Sequence, residues 1–77
     1  MKKRSVTLAG HPTSVSLEDE FWVELKRIAA EAGLPLAGLV ARIDSSRGSA
    51  NLSSALRLAV LADLQAKARP ASPVSGP

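Results

Sequence analysis

Between residues 12 and 17 the chain alternates, with Thr13, Val15 and Leu17 on one side of an extended segment and Pro12, Ser14 and Ser16 on the other. A period of two predicts a β-strand buried on one face. From Glu18 the period lengthens. Phe21, Trp22, Leu25, Ile28, Ala29 and Ala32 recur at three- and four-residue spacings, while Glu20, Glu24, Lys26, Arg27 and Glu31 lie mostly off that stripe. An amphipathic helix is therefore predicted over 18–32. Ser16 and Asp19 have the spacing of a capping box, Leu17 and Glu18 are alternative caps, and the acids at the start suit the positive end of a helix. Gly33 can close this helix in the left-handed conformation with Leu34 folding back, and Pro35 can open a second one, where its missing N–H is harmless. Leu36, Leu39, Val40 and Ile43 form the buried face of that second helix, predicted over 35–44.

The polar run from Asp44 to Ala50 interrupts the periodicity. Asn51 is then a strong N-cap candidate, and Leu52, Ala55, Leu56, Ala59, Val60 and Leu64 give a third helix over 51–67. Residues 68–77 hold three prolines, two serines and a glycine around Val74, and are expected to be a disordered tail. Residues 1–11 read as a basic arm of weak order. Val6 and Leu8 also alternate with polar neighbours, which allows a second strand over Ser5 to Ala9 with a bend at Gly10-His11-Pro12; against it, a two-stranded hairpin alone is marginal in water. The preferred prediction is a mainly α chain with one short strand and three helices. A lone strand leaves its backbone donors and acceptors without partners, and the simplest partner is the same strand of a second copy.

Composition narrows the chemistry. A chain of 77 residues is one small domain that buries little surface alone, which favours oligomerisation. Cysteine is absent and His11 is the one histidine, so disulfides and most metal or acid–base arrangements are excluded and no cofactor is implied. Pairing His11 with one of the serines indicates no third orienting group, so a hydrolytic site is not expected. The net charge is +3 and unevenly spread: Lys2, Lys3 and Arg4 precede the strand, whereas residues 18–32 hold five acids against two bases. A basic arm beside a polar strand face suggests a polyanionic partner, the duller reading being a solubilising terminus. No apolar run approaches a bilayer span and no signal peptide is visible, so the expected location is the cytoplasm.

A basic arm, one alternating strand, an immediate amphipathic helix, a Gly-Leu turn and a second helix resemble the ribbon-helix-helix DNA-binding family, over residues 1 to about 64. The segments Gly10 to Glu18, Phe21-Trp22 and Asn51 to Arg57 are similar to a bacterial subfamily of small proteins whose third helix is separate from the second. The resemblance implies an intertwined homodimer on double-stranded DNA at the nucleoid, with an intermolecular antiparallel ribbon in the major groove. It implies base contacts from Pro12, Ser14 and Ser16, with His11 close behind. Short hydroxyls discriminate bases less well than a bidentate Arg or Asn. Backbone contacts would come from Lys2, Lys3 and Arg4, from the Leu36 and Ala37 amides at a helix start, and from Arg47, with Arg57 as a further candidate. Val15, Leu17, Phe21, Trp22, Leu25 and Ile28 would form the dimer core. The function implied is a transcriptional regulator, most simply a repressor. Alternatives are an antitoxin, which the weakly apolar tail does not favour, and a helical adaptor whose ribbon serves only to dimerise.

Overall fold

The computed structural model describes residues 1–8 and 10–68. Two strands come first, β1 (Lys2–Leu8) and β2 (His11–Leu17), followed by α1 (Asp19–Ala32), α2 (Leu36–Ser46) and α3 (Leu52–Ala68). The two strands pair antiparallel with each other, from Lys2 opposite Leu17 to Leu8 opposite His11. The segment read as a basic arm is thus a full strand, and the partner of β2 in this structure is β1 of the same chain. The bend at Gly10 takes a φ of 81°, the left-handed conformation that a tight hairpin link favours and that costs glycine little.

A hairpin alone is marginal; this one is not alone. Its inner face carries Val6 and Leu8 from β1 and Val15 and Leu17 from β2, all buried together with Trp22, Leu25 and Ala29 of α1, Leu39 and Val40 of α2, and Leu56 and Val60 of α3. β1 packs against α2 and β2 against α3, so burial of the four strand side chains supplies what pairing by itself lacks. At ~1.5–3 kcal/mol for each fully buried aliphatic side chain, these four offset much of the entropy of ordering a second strand. Val15, Leu17, Trp22 and Leu25, assigned from the resemblance to a dimer core, are therefore core residues of the single chain, and Phe21 and Ile28 pack against them half-buried.

The helix boundaries follow local chemistry. Glu18 is the extended residue before α1 and makes no capping side-chain bond; the Ser16–Asp19 capping box does not form. At the other end Gly33 is left-handed with a φ of 71°, its N–H donates to the Ala30 carbonyl at 3.2 Å and the Leu34 N–H donates to that of Ala29 at 2.9 Å. This double bond pattern is a Schellman closure, and Leu34 packs onto the core beside it. Ala32, placed by its spacing on the buried stripe, is exposed in the last turn. Helix α2 runs two residues beyond its predicted end because the Ser45 and Ser46 hydroxyls donate back to the Ala41 and Ile43 carbonyls. The Asn51 side chain accepts from the Ser54 N–H at 3.2 Å, the N-cap bond expected of it. Ala68, predicted to open the tail, is helical as part of α3; the rest of the expected tail, 69–77, lies outside the described residues.

Candidate nucleic-acid interface

Strand alternation divides the ribbon into two faces. Lys3, Ser5 and Thr7 of β1 stand opposite Ser16, Ser14 and Pro12 of β2, giving an outward row of six side chains that carries one cation, four hydroxyls and no carboxylate. All six are exposed except Ser16, which is half-buried where its carbonyl accepts from the Ser53 hydroxyl of α3 at 3.4 Å. Pro12, Ser14 and Ser16 therefore stand where alternation put them. Lys3, Ser5 and Thr7 were missed as members of the same row. The signal that could have found them was the Val6–Leu8 alternation.

His11 is different. It pairs with Leu8 and shares the strand parity of Thr13, Val15 and Leu17, so it belongs to the inner face, exposed only because it sits at the hairpin tip. The basic arm divides in the same way. Lys3 joins the outward row, while Lys2 and Arg4 share the parity of Val6 and Leu8. The Lys2 carbonyl accepts the Trp22 indole N–H at 2.9 Å, and the Arg4 guanidinium lies over the Trp22 ring, 5.6 Å from its centroid. This stack and hydrogen bond tie the start of β1 to α1, which is why Arg4 points inward despite its charge. Its Nε is buried without a hydrogen-bond partner among the described residues, so Arg4 is placed by its ring contact rather than by a counter-ion.

Two other arginines are spent on structure. Arg47 pairs with Asp44 at 2.5 Å and also donates to the Ala50 carbonyl, holding the link between α2 and α3. Arg57 pairs with Glu18 at 3.0 Å and lies over the Phe21 ring, 5.8 Å from its centroid. Neither presents a free cation to a phosphate. Both sit three or more residues from their partners in sequence, and the second partnership spans 39 residues, which a linear reading cannot see.

The start of α2 presents backbone rather than side chains. Pro35 makes no capping side-chain bond, and the Leu39 N–H donates to the Pro35 carbonyl at 3.1 Å, leaving the Leu36 and Ala37 amides ahead of that first backbone bond. A side chain at Gly38 would bring a Cβ within 3.3 Å of Pro35 Cγ, so glycine there lets the proline sit tightly against the first turn. Partial positive charge and free N–H groups make such a helix start suited to an anion.

Away from the ribbon, α1 and α3 are joined by ion pairs. Arg27 donates to Asp63 at 2.6 Å, to Glu24 at 2.7 Å and to Glu31 at 3.0 Å, and Lys67 reaches Glu31 at 3.1 Å. The Lys67 ammonium, with Arg27 beside it, lowers the Glu31 carboxyl below its ordinary range, and the Asp63 and Glu24 carboxylates raise Arg27 further. Glu18 is lowered by a bond from its own backbone N–H and by Arg57. Among the described residues no cluster of three His, Cys, Asp or Glu could hold a metal ion, and no helix is long and apolar enough to cross a membrane.

Comparison with known proteins gives one family and one structure. The model of a ribbon-helix-helix domain matches residues 1–64. A solved structure of an uncharacterized protein from Bordetella pertussis Tohama I is similar at 38% identity with a TM-score of 0.74, over 92% of this chain. The chain spans 62% of the length of that protein. No curated protein matches.

Proposed function

The chain belongs to the ribbon-helix-helix domain family, and from that premise we propose that it is a double-stranded DNA-binding regulator, most simply a repressor, that lays the outward face of its ribbon in the major groove. The family commonly comprises DNA-binding regulators or antitoxins. One observation carries the reading: Lys3, Ser5, Thr7, Pro12, Ser14 and Ser16 form a continuous small polar row with a cation and no carboxylate. A row of short side chains on a two-stranded ribbon fits a groove, and the absence of acid from it avoids repulsion by phosphate.

Within this row Lys3 is the side chain long enough to reach a guanine O6 or N7. The hydroxyls of Ser5, Thr7, Ser14 and Ser16 can donate to or accept from several bases, so they align the ribbon more than they select sequence. Lys2, exposed at the start of β1, and the Leu36 and Ala37 amides are the proposed phosphate contacts. Arg4 and Arg47 act through the fold instead, the first holding β1 to α1 and the second holding the α2–α3 link.

A fluorescence titration with random-sequence duplex at rising salt tests this. Binding near 50 mM salt should weaken linearly in log–log form with a slope of about −0.9 for each phosphate contact, and Lys2→Ala should reduce that slope by about one. Binding that does not depend on salt would reject the assignment of this face to DNA.

A further inference from the structure

We propose that the tip of the ribbon, where Thr7 of β1 stands opposite Pro12 of β2, selects thymine by contact with its 5-methyl group. The inference rests on the reading of the outward row as a DNA-binding face and adds a base preference to it. The row is not uniform along its length. From the open end of the hairpin to its tip, the opposed outward pairs are Lys3 with Ser16, Ser5 with Ser14 and Thr7 with Pro12. The first pair carries the cation and the second only hydroxyls. The third presents carbon, since proline offers ring methylenes and no N–H, and threonine offers a methyl beside its hydroxyl. Both side chains are exposed, whereas Val6, Leu8, Val15 and Leu17 on the inner face are buried. The core therefore uses neither Thr7 nor Pro12.

The chemistry of the groove names the match. Base edges in the major groove offer hydrogen-bond donors and acceptors, and the thymine 5-methyl is the apolar group among them. A purine edge held against the Thr7 methyl and the Pro12 ring would lose its bonds to water without replacement, whereas a thymine methyl loses none. Stiffness favours the same contact. A proline ring and a β-branched side chain give up little rotamer freedom when covered, in contrast to the long side chain of Lys3. Lys3 and Thr7 are also four residues apart on β1. At the rise of a strand that is roughly 13 Å, close to four base steps of about 3.4 Å, so the tip meets different base pairs from Lys3.

Replacing thymine by uracil removes that methyl and leaves every hydrogen-bonding group of the base in place. A duplex of alternating adenine and thymine offers a methyl at every register, and the full chain should bind it about three- to fivefold more tightly than the same duplex carrying uracil, the gain expected from burying one methyl. Both titrations are made at one fixed salt concentration. A Thr7→Ser/Pro12→Ser variant with unchanged helical circular dichroism should bind the two duplexes alike. The unaltered chain decides whether the preference exists, and the variant decides which side chains carry it. Salt-dependent binding with equal affinity for thymine and uracil, or a preference that survives in the variant, would overturn this inference and leave the DNA-binding face standing. Absence of salt-dependent binding to either duplex would overturn both.

Discussion

The two faces of the ribbon are made from the same seven-residue strands and have opposite chemistry. Inward stand Val6, Leu8, Val15 and Leu17, each less than a tenth exposed; outward stand a lysine, a proline and four hydroxyl side chains. Because the side-chain period of a strand is two, a shift of one residue would exchange the faces completely. The inner face is held in place by three helices and tolerates little. The outer face is exposed apart from Ser16, whose carbonyl accepts from Ser53, and an exposed polar face is the condition for a surface that meets a partner.

The sharpest way to break this contrast is to place the same kind of charge on each face. Val15→Asp should unfold the domain, since an isolated carboxylate in an aliphatic core costs several kcal/mol against a total stability of about 5–15 kcal/mol. Loss of helical circular dichroism at 25 °C is the expected outcome, and a folded variant would show that the inner face is misassigned. Ser14→Glu should leave circular dichroism and thermal stability unchanged while weakening DNA binding by about a hundredfold or more, because the new carboxylate faces phosphate. An unfolded Ser14→Glu protein would mean that the faces are reversed.

A smaller effect tests the tie between ribbon and helix. Trp22→Phe removes the indole N–H that donates to Lys2 and leaves Arg4 over a weaker ring, so thermal or denaturant unfolding should show a loss of about 1–2 kcal/mol. Binding to DNA should weaken with it although no outward residue has changed. The smallest effect concerns the ion-paired flank of α3. Glu18 and Glu31 have folded-state values below their ordinary 4.5, so they contribute stability that is fully present above about that pH and is lost as the pH falls through the lowered values. The melting temperature should be level from pH 7 to about 5 and fall below it, and Glu18→Gln/Glu31→Gln should flatten that fall. The change is small because these pairs face solvent.

The helices were legible because their signals are local. Gly33 and Leu34 close α1 through bonds to Ala29 and Ala30, and Asn51 caps α3 through Ser54, all within five residues. The second strand was the misjudged element. Residues 2–8 alternate only weakly, since Lys2 and Arg4 occupy inner positions where an aliphatic residue is expected, and nothing in their identity says that a tryptophan 18 residues away will receive Arg4. The fates of Arg47 and Arg57 were hidden for a related reason. A basic side chain reads the same in sequence whether it faces a phosphate or a carboxylate of its own chain.

Along the sequence, periodicity determined three amphipathic helices, one strongly patterned strand and the side of that strand that would be buried, because each depends on contacts between near neighbours. Only the tertiary structure decided which strand would pair with it and which cations would remain free. Those depend on where distant segments meet: pairing within the chain becomes favourable once Val6 and Leu8 find the helices, and a charge is available to a partner only after the fold has used the rest.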